Sequence, residues 1–196
     1  MWSRPRGGFT LLEVLLVVMI VAILSALVIP SSQPNACERL EAMAGIVATD
    51  LAYGRSLAVS NNGKYRFTLD VPNNRYILQY TGTNPALATL PVTPFSSPGD
   101  PPTQHIVDFD DLPQLGPRVN LLIATSGAVP QAVGTLEFGP LGGTTSVTPT
   151  VIWLSTGSGV SISYITVQVD PVTGLATIGP YTTIGPPQSL FPTGGH

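Results

Sequence analysis

The chain has 196 residues and a formal net charge of −3, with only 8 Lys and Arg residues against 11 Asp and Glu residues. This composition lacks the clustered basic residues by which nucleic-acid-binding surfaces are recognised. A single cysteine, Cys37, excludes an internal disulfide.

An apolar run from Phe9 to Ile29 dominates the start of the chain, interrupted only by Thr10, Glu13 and Ser25. At ~1.5 Å per residue, a helix of this length would be roughly 31 Å long. This length matches the hydrocarbon core of a lipid bilayer, which is about 30 Å thick. Because apolar side chains cover all sides, the run predicts a helix that is embedded in lipid or otherwise fully buried.

Basic residues indicate the orientation of this helix. Arg4 and Arg6 precede the run, and the next basic residue is Arg39. The positive-inside rule therefore predicts a single pass, with the N-terminus in the cytoplasm and the rest of the chain across the inner membrane.

A secretory signal peptide is the alternative, since small residues near Ser25 and Ser31 could mark a cleavage site. The run is longer than the usual ~7–15 apolar residues of such peptides. Glu13 also has no role in a signal peptide, whereas carboxylates in membrane helices usually mark function. Thr10 and Glu13 fit a capping box as well, which leaves a further role for Glu13 open.

The segment from Gly8 to Glu13, GFTLLE, followed by the apolar run and Pro30, resembles the N-terminal signal of type IV pilins and type II secretion pseudopilins. The resemblance implies that residues 1–8 are a leader peptide. Prepilin peptidase would cut between Gly8 and Phe9, and Phe9 would become N-methylated. Residues 9–30 would form the filament core, with a helix kink at Pro30.

The same resemblance gives Glu13 a role in filament assembly. In the filament, the Glu13 carboxylate of one subunit would pair with the new α-amine of a neighbouring subunit. Each charge would otherwise be buried alone, which is costly. The pairing would also set the axial register, as buried polar residues do in coiled coils.

Residues 31–62 predict an amphipathic helix that continues into the globular domain and packs on a sheet. Its apolar residues recur at spacings of three and four, and its charged residues, Asp50 and Arg55 among them, fall mostly off the apolar face. Asn61, Asn62 and Gly63 tolerate the left-handed conformation that ends helices. The stretch from Asp50 to Asn62 resembles the helix end of the GspH/FimT subgroup of minor pilin-like proteins.

Residues 63–196 predict a β-rich domain, so the fold class is α+β. The resemblance implies a periplasmic, pilin-like domain in which a long helix packs on an antiparallel β-sheet. Period-2 alternation is the main signal for the strands. A hairpin is predicted over residues 64–81, with its turn at 71–74. Further strands are predicted over His105–Phe109, Arg118–Ala124, Gly134–Phe138, Thr150–Thr156, Ser161–Asp170 and Leu175–Ile178.

Three segments lack periodicity. Residues 82–103 contain six prolines and predict a long exposed loop, which is either a recognition surface or a mobile insertion. Residues 139–149 form a glycine-rich loop without the lysine of a phosphate-binding loop. Residues 179–196 predict a loosely held tail.

Chemical motifs are scarce. Asp108, Asp110 and Asp111 could offer oxygen ligands to calcium, but the EF-hand pattern is missing and acidic residues are common in turns between strands. His105 has no neighbouring Cys or His in the sequence with which to share a metal. No nucleophile-elbow, redox or dinucleotide motif is present. We therefore predict no enzyme, cofactor or metal site, although a Ser-His-Asp arrangement assembled in space stays open.

These observations predict a minor pilin-like structural subunit of a type II secretion pseudopilus. The implied partners are prepilin peptidase, other pilin or pseudopilin subunits, the inner-membrane assembly platform and, before assembly, membrane lipid; nucleic acid is not among them. One alternative is a minor type IV pilin that serves assembly, adhesion or DNA uptake. Another is a membrane-anchored periplasmic binding domain or enzyme that never polymerises.

Overall fold

The computed structural model of the protein describes residues 10–28, 36–93, 99–112 and 119–190. The chain divides into two units, Met1–Asn35 and Ala36–His196. Gly8, Phe9 and Pro30 lie outside the described residues, so the cleavage site, the methylated residue and the helix kink stay predictions. Residues 29–35 are also outside them, so the predicted helix over residues 31–62 is described only from Ala36.

The first unit contains helix α1, Leu11–Val28. Its 18 residues all belong to the apolar run that the sequence shows. The large apolar side chains from Leu11 to Leu24 are exposed. Among residues 10–28, 36–93, 99–112 and 119–190, no helix combines the length and the apolar character needed to cross a membrane.

The second unit begins with helix α2, Ala36–Ser60, whose buried face confirms the predicted amphipathic pattern. The helix ends where Gly63 N donates to Ala58 O at 3.0 Å and Asn62 takes a left-handed φ of 46°. Asn tolerates this conformation better than most residues. The buried residues of α2 lie three or four positions apart: Leu40, Met43, Ala44, Val47, Asp50, Leu51, Gly54 and Ala58.

Nine strands lie within the described residues, and all their pairings are antiparallel. They are β1 Tyr65–Asp70, β2 Arg75–Tyr80, β3 Gln104–Asp108, β4 Val119–Ser126, β5 Gln131–Val133, β6 Thr135–Phe138, β7 Thr150–Thr156, β8 Ser163–Val169 and β9 Ala176–Ile178. They form two sheets, where the sequence led us to expect one. The first sheet has the order β3-β2-β1-β6, and the second has the order β5-β4-β7-β8-β9.

The predicted α+β class is confirmed, because α2 packs against strands of both sheets. The buried side of each strand alternates with an outward side, as in β1 and β8. Arg55 also ties α2 to the second sheet, since its Nε donates to the Thr173 carbonyl at 2.6 Å. The core therefore lies between one helix and two sheets.

The C-terminal tail differs from its prediction up to residue 190. Thr182 pairs with Tyr164 of β8 through two backbone hydrogen bonds of 2.7 and 2.9 Å. Gly179 N donates to Thr166 O at 2.8 Å, and the Tyr181 hydroxyl donates to Ser163 Oγ at 2.5 Å. The tail, although rich in glycine and proline, is thus held by backbone pairing with β8. The sequence gives no sign of this pairing.

Asn74 links the two sheets. It follows the short 3₁₀ turn Val71–Asn73 and takes a left-handed φ of 49°. Its side-chain Oδ1 accepts from Leu121 N at 2.8 Å, and its Nδ2 donates to Val119 O at 3.1 Å, both on β4. The same Nδ2 donates to Asp110 Oδ1 at 2.9 Å, just after β3. The β1–β2 turn is therefore fastened to the second sheet by one amide.

We expect Asn74→Gly to destabilise the domain by roughly 2–3 kcal/mol, because three side-chain hydrogen bonds are lost while glycine keeps the left-handed backbone. Asn62→Gly is the matched control, since Asn62 is the other described non-glycine residue with positive φ. Urea unfolding of both variants measures the effect. Equal stability of the two variants would contradict the bridging role.

Glu137 on β6 is the acidic member of a cluster on the first sheet. It lies opposite Arg66 of β1, with Arg66 Nη2 at 3.0 Å from Oε2 and Lys64 Nζ at 3.6 Å from Oε1. The Thr81 hydroxyl donates to Oε2 at 2.9 Å. Burial raises the pKa of Glu137, but the Thr81 and Arg66 hydrogen bonds and the charges of Arg66 and Lys64 outweigh burial and lower the pKa overall.

Because the folded-state pKa is lowered, the charged Glu137 stabilises the fold above its unfolded pKa of about 4.3. That contribution is lost as the pH falls through the lowered pKa. We expect Glu137→Gln to lower the Tm at pH 7 and to approach the wild-type Tm in acid. Glu41→Gln, at an exposed carboxylate of α2, is the control. A Tm difference that is independent of pH would refute the assignment.

Candidate functional site

Helix α1 starts with a capping residue. Thr10 Oγ1 accepts from Glu13 N at 3.2 Å. The Thr10 carbonyl also accepts from Glu13 N at 3.0 Å and from Val14 N at 3.2 Å. Thr10 is therefore the N-cap and Glu13 is the third residue of the helix, as the capping-box pattern predicts for the hydroxyl.

The Glu13 side chain is exposed at this helix start. It borders a shallow apolar depression on α1, which is also lined by Val14, Val17 and Val18. A negative charge in the first helical turn is favoured by the helix dipole. The Thr10 hydroxyl, and not the Glu13 carboxylate, caps the helix here. The exposed Glu13 carboxylate lies beside apolar surface, where it can bind a cation.

A second polar site lies inside the globular unit, between α2 and the first sheet. Asp50 of α2 is 6% exposed and His105 of β3 is 1% exposed. The Tyr76 hydroxyl of β2 donates to Asp50 Oδ2 at 2.5 Å. His105 Nε2 lies 3.0 Å from the same oxygen, and His105 Nδ1 lies 3.0 Å from Thr93 Oγ1. These four residues form one continuous polar network.

The network explains how a carboxylate is tolerated in the core. Buried charges are costly unless they are hydrogen-bonded, and the Tyr76 hydroxyl and His105 Nε2 both lie within hydrogen-bond distance of Asp50 Oδ2. Burial, the Asp50 charge and the Asp50 hydrogen bond raise the pKa of Tyr76 well above its ordinary value. Tyr76 therefore stays protonated and acts as a donor.

Tyr53 closes the network on the α2 side. Its ring meets the His105 ring edge-on, with a centroid distance of 6.5 Å. Its hydroxyl is buried and has no hydrogen-bond partner among the residues that the structure describes. The pKa of Tyr53 is raised, mainly by burial and to a smaller extent by the charges of Tyr65 and Asp50.

A hydroxyl, an imidazole and a carboxylate are linked in series here, from Thr93 through His105 to Asp50. The same series of groups is used in nucleophilic catalysis. The sequence left such an arrangement open. Here the imidazole is 1% exposed, and its two nitrogens face Thr93 and Asp50. A substrate therefore has no access to it, and the network instead holds α2, the first sheet and the proline-rich loop together.

The acidic residues after β3 take part in local structure. Asp108 Oδ1 accepts from Asp110 N at 2.9 Å, and Asp110 accepts from Asn74. Within the described ranges, no group of three or more His, Cys, Asp or Glu residues is arranged to hold a metal ion. Cys37, on the first turn of α2, lies 3.4 Å from Glu41 Oε1.

Comparison with known proteins bears on the N-terminal site. A family model described as the prokaryotic N-terminal methylation motif matches residues 3–29. The chain therefore carries this N-terminal motif. The match spans both Thr10 and Glu13, so the recognition made from Gly8 to Glu13 is confirmed by a model of the motif itself.

Two solved structures are similar to this chain, both of the type IV minor pilin FimU of Pseudomonas aeruginosa strain PAO1. Each is 17% identical and covers 78% of this chain at a TM-score of 0.45; the alignments cover 100% and 95% of the FimU chains. No curated protein matches the sequence. Likeness at this identity and score says nothing about function.

The structure places Asp50 differently from the sequence interpretation, which put it mostly off the apolar face of the helix. Asp50 lies three residues after Val47 and four before Gly54, which are both buried. This spacing puts it on the core face, so helical periodicity could have found it. No sequence signal pairs it with His105, 55 residues away.

We expect Tyr76→Phe to destabilise the globular domain by about 1.5–3 kcal/mol, the usual range for a hydrogen bond to a charged group. Tyr65→Phe is the matched control, because Tyr65 is equally buried but its hydroxyl accepts from the neutral Asn61 amide at 2.7 Å. Chemical unfolding compares the two. A larger loss for Tyr65→Phe would argue against a charged Asp50.

Proposed function

We propose that this protein is a minor structural subunit of a pilin-like filament. The observation that carries the proposal is the methylation motif over residues 3–29, with Glu13 at the capped start of an apolar helix. The residues support structural work rather than catalysis, since the buried imidazole of His105 is closed to substrate. The globular unit then serves as the outward part of the subunit.

Processing comes first. Prepilin peptidase removes residues 1–8 and Phe9 is then N-methylated. Before assembly, the apolar run from Phe9 to Ile29 anchors the subunit in the inner membrane, with the globular domain in the periplasm. Pro30 provides a kink at the end of this run, because proline cannot continue the helical hydrogen-bond pattern.

Glu13 then selects the position of the subunit in the filament. Cleavage creates an α-amine on Phe9, and a neighbouring subunit brings that cation to the exposed Glu13 carboxylate. Val14, Val17 and Val18, which line the depression beside Glu13, would place apolar groups next to the pair. Removing one partner from a buried ion pair costs about 3–5 kcal/mol, so only a subunit in the correct register is stable.

The filament that we favour is the pseudopilus of a type II secretion system. The support is the resemblance of the stretch from Asp50 to Asn62 to the GspH/FimT subgroup. The other partners are then the major pseudopilin and the inner-membrane assembly platform. Deletion of the gene should abolish secretion of the system's substrates, whereas loss of surface pili with normal secretion would assign the protein to a type IV pilus.

We expect Glu13→Ala to leave membrane insertion and cleavage intact but to lower recovery in sheared filaments by more than tenfold. Glu41→Ala removes an exposed carboxylate of α2 and is the matched control. Mass spectrometry of the membrane pool checks processing through an N-methylated Phe9. Quantitative blotting of the filament fraction measures assembly.

Two outcomes separate the parts of this proposal. Normal filament recovery of Glu13→Ala would refute the charge pairing while leaving the processing intact. A mature N-terminus at Met1, or a cut beyond Ser25, would refute the pilin-like route altogether and favour a simple anchor or a signal peptide.

A further inference from the structure

The described part of the proline-rich loop is held at three described points, of which two lie on strands of the first sheet. We call residues 84–93 the strap. At its start, Asn84 N donates to Tyr80 Oη at 3.1 Å. Leu90 is 7% exposed within the core, and its amide donates to Pro102 O at 2.8 Å. At the far end, Thr93 Oγ1 lies 3.0 Å from His105 Nδ1.

Much of the rest of the strap is exposed. Val92, between the last two points, is 90% exposed, and Pro91 is exposed beside it. A segment with so few buried groups belongs to the low-stability part of a fold, where local opening is common. The contact of Thr93 with His105 is one of the described contacts that hold the end of the strap.

The chemistry of His105 depends on Asp50. A carboxylate only accepts hydrogen bonds, so the ring nitrogen that faces Asp50 Oδ2, Nε2, must carry a hydrogen. In a neutral imidazole the other nitrogen is then an acceptor. Nδ1 is thus free to accept a hydrogen bond from the Thr93 hydroxyl, at the observed 3.0 Å.

We propose that Asp50 acts as a positioning residue for the strap, by fixing His105 in the Nε2–H tautomer whose Nδ1 holds Thr93. Helix α2 and the strap are then coupled through one imidazole, although they lie on opposite sides of it. Because such coupling is reciprocal, a movement of α2 that separates Asp50 from His105 loosens the strap, and a partner that draws the strap away loosens Asp50. This inference does not depend on filament assembly.

The first test reads the tautomer directly. Uniformly ¹⁵N-labelled full-length protein in detergent is examined by long-range proton–nitrogen NMR at neutral pH. The chain has two histidines, so His196→Gln assigns the signals of His105. We expect the Nε2–H tautomer in the wild type and a shift toward Nδ1–H in Asp50→Asn, whose amide can donate to Nε2. An Nδ1–H tautomer or a doubly protonated ring in the wild type would overturn the proposal.

The second test measures strap opening by amide hydrogen exchange of the full-length protein. Thr93→Val keeps the shape of the side chain but removes the hydroxyl, and Thr89→Val changes an exposed threonine in the same strap. We expect Thr93→Val to speed exchange over residues 84–93 by about 2- to 10-fold, in keeping with one lost hydrogen bond. Thr89→Val should leave that exchange unchanged.

The double variant decides whether Asp50 acts through Thr93. If it does, adding Asp50→Asn to Thr93→Val speeds strap exchange no further, since residues that share one contact are not additive. Additive effects, or faster exchange spread equally over β1 to β9, would show that Asp50 merely stabilises the whole domain. Tyr76→Phe is the second control, because it weakens the same site while keeping the Nε2–H tautomer.

Discussion

The globular unit depends on one constraint: a single apolar face of α2 must be buried by two separate sheets. Strands β1 and β6 of the first sheet and β7, β8 and β9 of the second all contact this helix. Neither sheet covers the face alone, so their relative placement has to be fixed by other contacts. Asn74 does this from the turn between β1 and β2, and Arg55 does it from the helix.

Asp50 is the exception on that apolar face, and its cost shapes the surroundings. A carboxylate in the core needs donors, and Tyr76 and His105 supply them from two adjacent strands. The buried aromatic residues continue this layer, with the Phe67 and Tyr76 rings stacked at a centroid distance of 4.5 Å. Buried polar networks of this kind are sensitive to the loss of any member, which gives the helix and the sheet one defined alignment.

The N-terminal unit follows a different logic. The apolar side chains of α1 are exposed, and its single carboxylate, Glu13, lies in the capped first turn. Such a surface is suited to association with lipid or with identical helices rather than with water. The two units therefore differ in surface character, one with an exposed apolar helix and the other with a buried core.

The sequence alone was enough for the features that depend on local pattern. The GFTLLE segment indicated the methylation motif, helical spacing predicted α2, and alternation predicted β1, β2, β7 and β8 within a few residues. The motif also singled out Glu13, because an isolated carboxylate in an apolar run stands out without any structure. The short strand β5 carried no comparable signal, since three residues are too few to show a period.

Only the tertiary structure decided the features that depend on residues far apart in the chain. It separated the strands into two sheets, paired Thr182 with Tyr164 in a tail that composition marks as loose, and brought Asp50, Tyr76, Thr93 and His105 together. Periodicity reports which face of an element is buried, but not which partner buries it. The order of strands and the meeting of polar side chains are set by the packing of the whole core, and no local spacing encodes them.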